Sequence, residues 1–339
     1  MGNEGGGKRT EFLDSDISQK RGSEPLRRTS DGRSSESAPG RRFDPIFKRP
    51  GLRPRRAELL VSLPTLLWLG LFIVVPTLLV FVIAFRPANP YGGIGGGWTL
   101  DTIRALGTPN YLTIAWRTLW ISLLTTALCL VLAVPSGYTI ARASRKWRNR
   151  LLMLVVVPFW TSFLVRVFAW KSLLHPEGMI KKALEALGLV GPETTLLYHP
   201  AAVVLVMVYT FLPFTILPIY AAAEKFDYRL LEAARDLGAR PFQAFRKIFL
   251  PGVRRGILTA LLVVFIPALG SYIIPDLVGG PGSEMLGNKI AQRVFTDRNL
   301  PHASALSAVL VLAVLAPLIA VLVLQRKNKK ADIIMGEAP

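Results

Sequence analysis

The chain has 339 residues, 51% of them hydrophobic, and carries 41 Lys+Arg against 22 Asp+Glu for a formal net charge of +19. A mean hydropathy of +0.39 with only 19% charged residues excludes an ordinary basic nucleic-acid binder and places the chain among membrane proteins. The single cysteine, Cys129, excludes an internal disulfide framework and any CxxC zinc site, and His175, His199 and His302 are too scattered for a His/Cys metal cluster.

Residues 1–56 are rich in Gly, Ser, Pro and Arg, hold 14 Lys+Arg against 8 Asp+Glu, and contain no long apolar run. They read as a disordered basic cytoplasmic tail rather than a secretory signal peptide. Gly2 to Arg9 is spaced like a phosphate-binding loop, but no Ser or Thr follows Lys8 and no strand precedes it, so no nucleotide site is read there.

Beyond Glu58, six apolar stretches are long enough to cross a bilayer as helices at about 1.5 Å per residue. They are Leu59–Phe85, Ala115–Ala141, Leu151–Trp170, Pro200–Ala222, Gly256–Val278 and Ala303–Gln325. Prolines fall inside them, among others at Pro76, Pro135, Pro158, Pro213, Pro218, Pro267 and Pro275, as packed membrane helices allow. With the N-terminus inside, 31 of the 41 Lys+Arg fall on cytoplasmic segments, nine on the outer side and Arg166 within the third span. This asymmetry places both termini in the cytoplasm of a multi-pass inner (plasma) membrane protein, with residues 326–339 as a cytoplasmic C-terminal tail. The charge is then a topological signal with some attraction to membrane lipid, and no nucleic-acid partner is expected.

The cytoplasmic loop over 223–255 is longer than a turn needs. Asp227 is a good N-cap for an amphipathic helix over Tyr228 to Leu237, Gly238 a good stop, and Pro241 a good first residue for a second helix ending near Phe249. Two such helices at the membrane face would form an apolar knob rimmed by charge, suited to the groove of a cytoplasmic partner.

Glu232-Ala233-Ala234, three residues, Gly238, nine residues, Ile248, one residue, Leu250-Pro251 resembles at every specified position the EAA-x3-G-x9-I-x-LP loop of permease subunits of binding-protein-dependent ATP-binding-cassette importers. Pro158 to Trp170, PFWTSFLVRVFAW, and Ile266 to Gly280, IPALGSYIIPDLVGG, resemble the spermidine/putrescine permeases of that family. Ser271 departs from the carboxylate that some putrescine-type relatives carry, so opines, thiamine and ferric iron stay open as solutes. The resemblance covers about residues 57–325 and implies an all-α membrane protein of six transmembrane helices with the type I importer (MetI-like) architecture. It implies that Glu232, Ala233, Ala234, Gly238, Ile248, Leu250 and Pro251 form the coupling element that docks on the ATPase. The implied partners are a cytoplasmic ATPase dimer holding ATP and Mg, a second and related permease chain, and a periplasmic substrate-binding protein. The chain itself would bind no cofactor and catalyse no reaction, since no nucleophile with a base and no metal cluster is legible. A stand-alone secondary carrier, the competing reading, would bring repeated halves and intramembrane carboxylates.

For the solute path, charge inside a span is costly and points to function. Reckoned along straight helices, Arg166 and Asp276 stand about 22 and 30 Å from the inner face, in the outer half of the membrane. Asp276 would receive a cation with Arg166 anchoring a gate beside it; alternatively, Arg166 snorkels and Asp276 ends a helix. Ser162 lies one turn before Arg166. Trp160, Tyr209 and Tyr272, with Phe163, Phe211 and Phe214, would stack on an alkylammonium or serve as packing.

Overall fold

The computed structural model describes residues 55–89 and 91–334. All but the last two residues of the expected tail over 1–56, and the last five of the expected C-terminal tail, lie outside them. The described residues form helices without a strand, apart from one isolated bridge between Ala88 and Ile94.

Helix α1 (Arg55–Leu69) runs through a π-helical turn (Gly70–Val74) into α2 (Val75–Ala84). A short α3 (Asp101–Leu106) precedes the long α4 (Pro109–Arg142). Then α5 (Arg145–Val156) leads through a 3-10 turn (Val157–Trp160) to α6 (Phe163–Leu174), α7 (Met179–Ala186) and α8 (Pro200–Glu224). The loop over 223–255 supplies α9 (Arg229–Asp236), α10 (Pro241–Ala244), a π turn (Phe245–Phe249) and α11 (Leu250–Gly252). The chain ends with α12 (Arg254–Leu269), α13 (Ile273–Val278), α14 (Leu286–Phe295) and α15 (Leu300–Ile334), whose backbone continues past the expected end of the last span at Gln325.

Proline shapes these elements in two ways. It opens α4, α8 and α10 in their first turns, where its missing N–H is no loss. Inside a helix it has no N–H to give and crowds the carbonyl four residues back. Both π turns end two residues before a proline, Pro76 and Pro251, and close with Val75 N–H to the Gly70 carbonyl and Leu250 N–H to the Phe245 carbonyl. Widening the turn moves the crowded carbonyl aside and re-pairs its neighbours.

Three helices are long and apolar enough to cross a membrane, Ser62–Ala84, Pro109–Arg142 and Pro200–Glu224, matching the first, second and fourth expected spans. The third is not one rod: α5 with its 3-10 turn and α6 meet at 91°. Pro158 opens the 3-10 turn, and Thr161 and Ser162 are extended, with ψ of 153° and 140°. The fifth expected span also stops early. Helix α12 ends at Leu269, and Pro275, which would crowd the Ser271 carbonyl in a continuous helix, lies instead in the first turns of a restarted α13. Length and composition support three fully helical spans, or five if two bent pairs, Arg145–Trp160 with Phe163–Ala186 and Pro241–Gly252 with Arg254–Leu269 (70°), are each taken as one span.

Helices α4, α8 and α12 pack on one another in the centre, and α15 lies along α2, α14 and α3. A Cβ at Gly256 on α12 would come within 2.5 Å of the Ala222 Cβ and 2.9 Å of the Pro218 carbonyl oxygen on α8, so that contact requires glycine. The outer surface is apolar: Leu67 and Trp68 are each 64% exposed and Val131 68%, as suits side chains facing lipid.

Of the buried hydroxyls on α4, those of Thr118 and Thr126 are paired, whereas those of Ser122 and Thr125 have no partner among the described residues. Thr118 donates to the Ile114 carbonyl at 2.7 Å and accepts from the Leu286 N–H, the first amide of α14, at 2.8 Å. Thr118→Val keeps the shape and orphans that buried N–H, for an expected loss of about 1–3 kcal/mol. The thermal midpoint of the solubilised protein should fall, and Thr118→Ser should restore it; a midpoint that stays put for the valine variant would take this bond out of the packing account.

Candidate functional site

The loop over 223–255 is built from strong local signals. The Asp227 carboxylate accepts from the Arg229 N–H at 3.0 Å at the start of α9. At its end Gly238 has φ of +86°, and Gly238 N–H to the Arg235 carbonyl (2.9 Å) with Ala239 N–H to the Ala234 carbonyl (3.0 Å) closes a Schellman cap. Nothing lies within 4 Å of where a Cβ at Gly238 would stand, so the backbone conformation alone requires glycine. Arg240 N–H then donates to Gln243 Oε1 at 3.2 Å, and Pro241 starts the second helix.

The loop turns one apolar face inward. Leu231, Ala234, Ala244 and Phe249 are buried together with Ala223 and Val253, against Val134, Tyr138 and Ala141 of α4 and Ile257 of α12. Phe249 sits at the middle, its ring 4.8 Å from Tyr138 and 5.4 Å from Phe226, both edge-on, and 5.1 Å from a stacked Phe245. Burial pushes the Tyr228 phenol up, so it stays neutral while its hydroxyl donates to the Ala223 carbonyl at 3.0 Å. Arg142 donates to the Tyr138 hydroxyl at 2.7 Å, and Arg148 pairs with Glu224 at 2.8 Å.

The exposed knob is therefore smaller than the sequence implies. Glu232, Ala233, Gly238 and Pro251 face out, Ile248 and Leu250 are half-buried, and Ala234 belongs to the interior. Leu237 (89% exposed) and Phe242 (72%) are its apolar tips. Phe249 and Tyr138, which seat the loop, escaped the sequence reading; an aromatic at each end of the π turn was the only hint.

The second set of candidates lies where two helices restart. Helix α6 begins after the 91° bend, α13 begins after the stop at Leu269, and the two pack together. Trp160 is 74% exposed. Ser162 precedes α6, and its carbonyl accepts from Arg166 N–H at 3.2 Å, as one-turn spacing requires. The Arg166 guanidinium lies over Phe159, 4.1 Å from the ring centroid, and Phe159 in turn meets Phe214 edge-on at 5.6 Å. Tyr209 stands apart from this group, packed edge-on against Trp170 at 5.3 Å, and Phe163 and Phe211 pack on the central core. The Tyr272 carbonyl accepts from Asp276 N–H (3.0 Å) and Asn288 Nδ2 (2.9 Å).

Asp276 is exposed in the first turn of α13, so the depths reckoned along straight helices do not hold for it or for Arg166. It lines a cavity of about 340 Å³ with Tyr198, Pro275, Gly279 and Glu284. Glu284 is paired with Lys289 at 2.7 Å, whereas no ion pair among the described residues takes Asp276, and none joins it to Arg166. Tyr198, held at φ of +64°, carried no sequence signal; Glu284 had one, as the sole carboxylate between Asp276 and Asp297. No group of three His, Cys, Asp or Glu among the described residues is placed to hold a metal.

Residues 130–329 match the family model described as "Binding-protein-dependent transport system inner membrane component". This chain belongs to that family. The match takes in the last part of α4, the whole loop over 223–255 and both restarted helices. Among curated relatives, the spermidine/putrescine transport system permease protein PotB of Haemophilus influenzae is 37% identical over 240 residues, 71% of this chain and 84% of that protein. PotB of Escherichia coli K12 is 35% identical over 243 residues, 72% and 88% of the two chains. The inner membrane ABC transporter permease protein YdcU of E. coli K12 is 35% identical over 260 residues, 73% and 79%. A crystal structure of a bacterial ABC transporter that imports the acidic polysaccharide alginate has a chain of the same fold, with a TM-score of 0.63 at 18% identity, covering 81% of this chain and 96% of its own.

As an inner membrane component of this family, the chain places its loop at one end of the central bundle. The loop core touches the ends of α4 and α8 and the start of α12 at once.

Proposed function

We propose that this chain is the membrane-spanning permease subunit of an ATP-driven importer for polyamines of the spermidine/putrescine class. It crosses the inner membrane six times with both termini in the cytoplasm, the broken third and fifth spans included. The observation that carries the reading is the cytoplasmic loop: rigidly seated through Phe249 on α4, α8 and α12, it offers Glu232, Ala233, Leu237 and Phe242 outward. Docked on an ATPase dimer that holds ATP and Mg, it would pass ATPase closure to the central helices and switch the path from inward to outward access. The chain performs no chemistry itself. A second, related permease chain completes the path, and a periplasmic binding protein delivers the solute. The names and identities of the relatives support the polyamine class.

Asp276, exposed at the cavity with Tyr198 and Glu284, is suited to receive an ammonium group; Arg166 lies on the packed neighbour α6, Trp160, Ser162 and Tyr272 lie just before the two restarted helices, and Tyr209 stands apart against Trp170. Removing one charge contact to a cation in a partly desolvated site should lower uptake of radiolabelled spermidine about tenfold in Asp276→Asn. Uptake of the importer in proteoliposomes checks this, with membrane abundance measured in parallel. Undiminished uptake at equal abundance takes Asp276 out of the path. For the solute class, calorimetric titration of the cognate binding protein with spermidine, putrescine, thiamine, ferric ion and an opine decides; binding of another solute alone would overturn the polyamine reading.

A further inference from the structure

From the cavity at Asp276, we infer that Lys289 is its resident counter-cation: the Lys289 ammonium occupies Glu284 until the second ammonium of a diamine or polyamine displaces it, and its return helps to expel the solute. The inference rests on the reading of this cavity as the ammonium site. Asp276 and Glu284 line the same cavity of about 340 Å³ but differ in state. No ion pair among the described residues takes Asp276, whereas Lys289 Nζ stands 2.7 Å from Glu284 Oε1. One carboxylate is open to an incoming cation. The other is held by the chain's own ammonium, a compact charge of the same type that a polyamine carries.

The carboxylate is the fixed member of the pair and the lysine the movable one. Backbone bonds pin the segment around Glu284 on both sides: Arg117 of α4 donates to the Pro281 carbonyl at 3.0 Å, Ser283 N–H to the Gly280 carbonyl at 2.9 Å, and Leu286 N–H to the Thr118 hydroxyl at 2.8 Å. The Lys289 ammonium has a second acceptor, Gln292 Oε1 at 3.0 Å, so leaving Glu284 does not strand it. The two side chains are 18% and 31% exposed, and an ion pair within reach of water is weak enough to exchange partners. A solute anchored at Asp276 by one ammonium presents its second at high effective concentration and competes with the tethered lysine, which a monoamine cannot do. Lys289 stays at hand to retake Glu284, and that competition holds the affinity low enough for the solute to leave.

The test uses the whole importer in nanodiscs, with radiolabelled spermidine as the bound probe and putrescine and butylamine as competitors, which share a carbon chain and differ by one ammonium group. Lys289→Met should bind putrescine about tenfold more tightly and butylamine no more than about twofold, with Lys289→Arg close to the unaltered importer. In Glu284→Gln the advantage of putrescine over butylamine should vanish, and adding Lys289→Met should then change neither affinity. Maximal spermidine uptake by Lys289→Met in proteoliposomes should fall although its affinity rises, a split that a merely structural role would not give. The number of spermidine sites per importer reports folded protein, so misfolding lowers that count and not the affinity. Unchanged affinities in Lys289→Met, equal gains for both amines, or a gain that survives in the Glu284→Gln background overturn the inference. If Asp276→Asn binds spermidine as well as the unaltered importer does, the ammonium-site reading itself is overturned.

Discussion

Gly238→Pro is expected to bring solute uptake to background and to release the ATPase, while the membrane helices remain folded. Proline is locked near φ of −65° and cannot adopt the +86° found here. It also removes the N–H that bonds the Arg235 carbonyl at 2.9 Å, half of the cap that turns α9 into α10. An ordinary L residue at this φ costs about 1–2 kcal/mol, and asparagine less. Gly238→Asn should therefore keep most of the uptake, because the space for its side chain is open. Co-purification of the ATPase and uptake in proteoliposomes measure the two effects. Full uptake by the proline variant would mean that the turn between the loop helices has no part in coupling.

The other large effect is expected at Phe249. It is fully buried and touches three aromatic rings, so Phe249→Ala leaves a cavity and should cost about 3–5 kcal/mol locally. That exceeds what a short loop holds in reserve, and the loop should come loose from α4. Limited trypsin digestion reads this directly, since Arg246 and Lys247 stand in the same turn. Cleavage there should rise sharply and uptake should fall at least about tenfold. Phe242→Ala makes the contrast: that ring is 72% exposed, so its loss should weaken ATPase binding while the loop keeps its resistance to trypsin. Equal protection of both variants would remove Phe249 from the seating of the loop.

The loop was legible in the sequence because its signals are local. Asp227 caps, Gly238 stops and Pro241 starts within a few residues of one another, and each acts through its own backbone. Which apolar residues would face in was not legible: Leu230 and Leu231 are adjacent and identical in type, yet one is 53% exposed and the other 5%. The breaks in the third and fifth spans were not legible either. A hydropathy window averages across a break, and proline does not mark one by itself. Pro135, Pro213 and Pro218 lie inside α4 and α8, which stay continuous, whereas the chain turns 91° after Pro158.

The same division holds for the charged candidates. Arg166 and Asp276 stood out by residue type, but their depth was reckoned on straight helices that the fold does not contain. The cavity around Asp276 joins Tyr198 to Glu284 across the chain, a non-local meeting that spacing does not encode. By itself the sequence determined how much apolar length there is, where the +19 charge concentrates, and where the 223–255 loop caps and turns, because these depend on residue type and near neighbours. Only the tertiary structure decided where the helices break, which loop face is spent on the protein's own core, and that Arg166 has no ion-pair partner among the described residues. Those outcomes depend on which surfaces meet, and packing is settled between residues far apart in the chain.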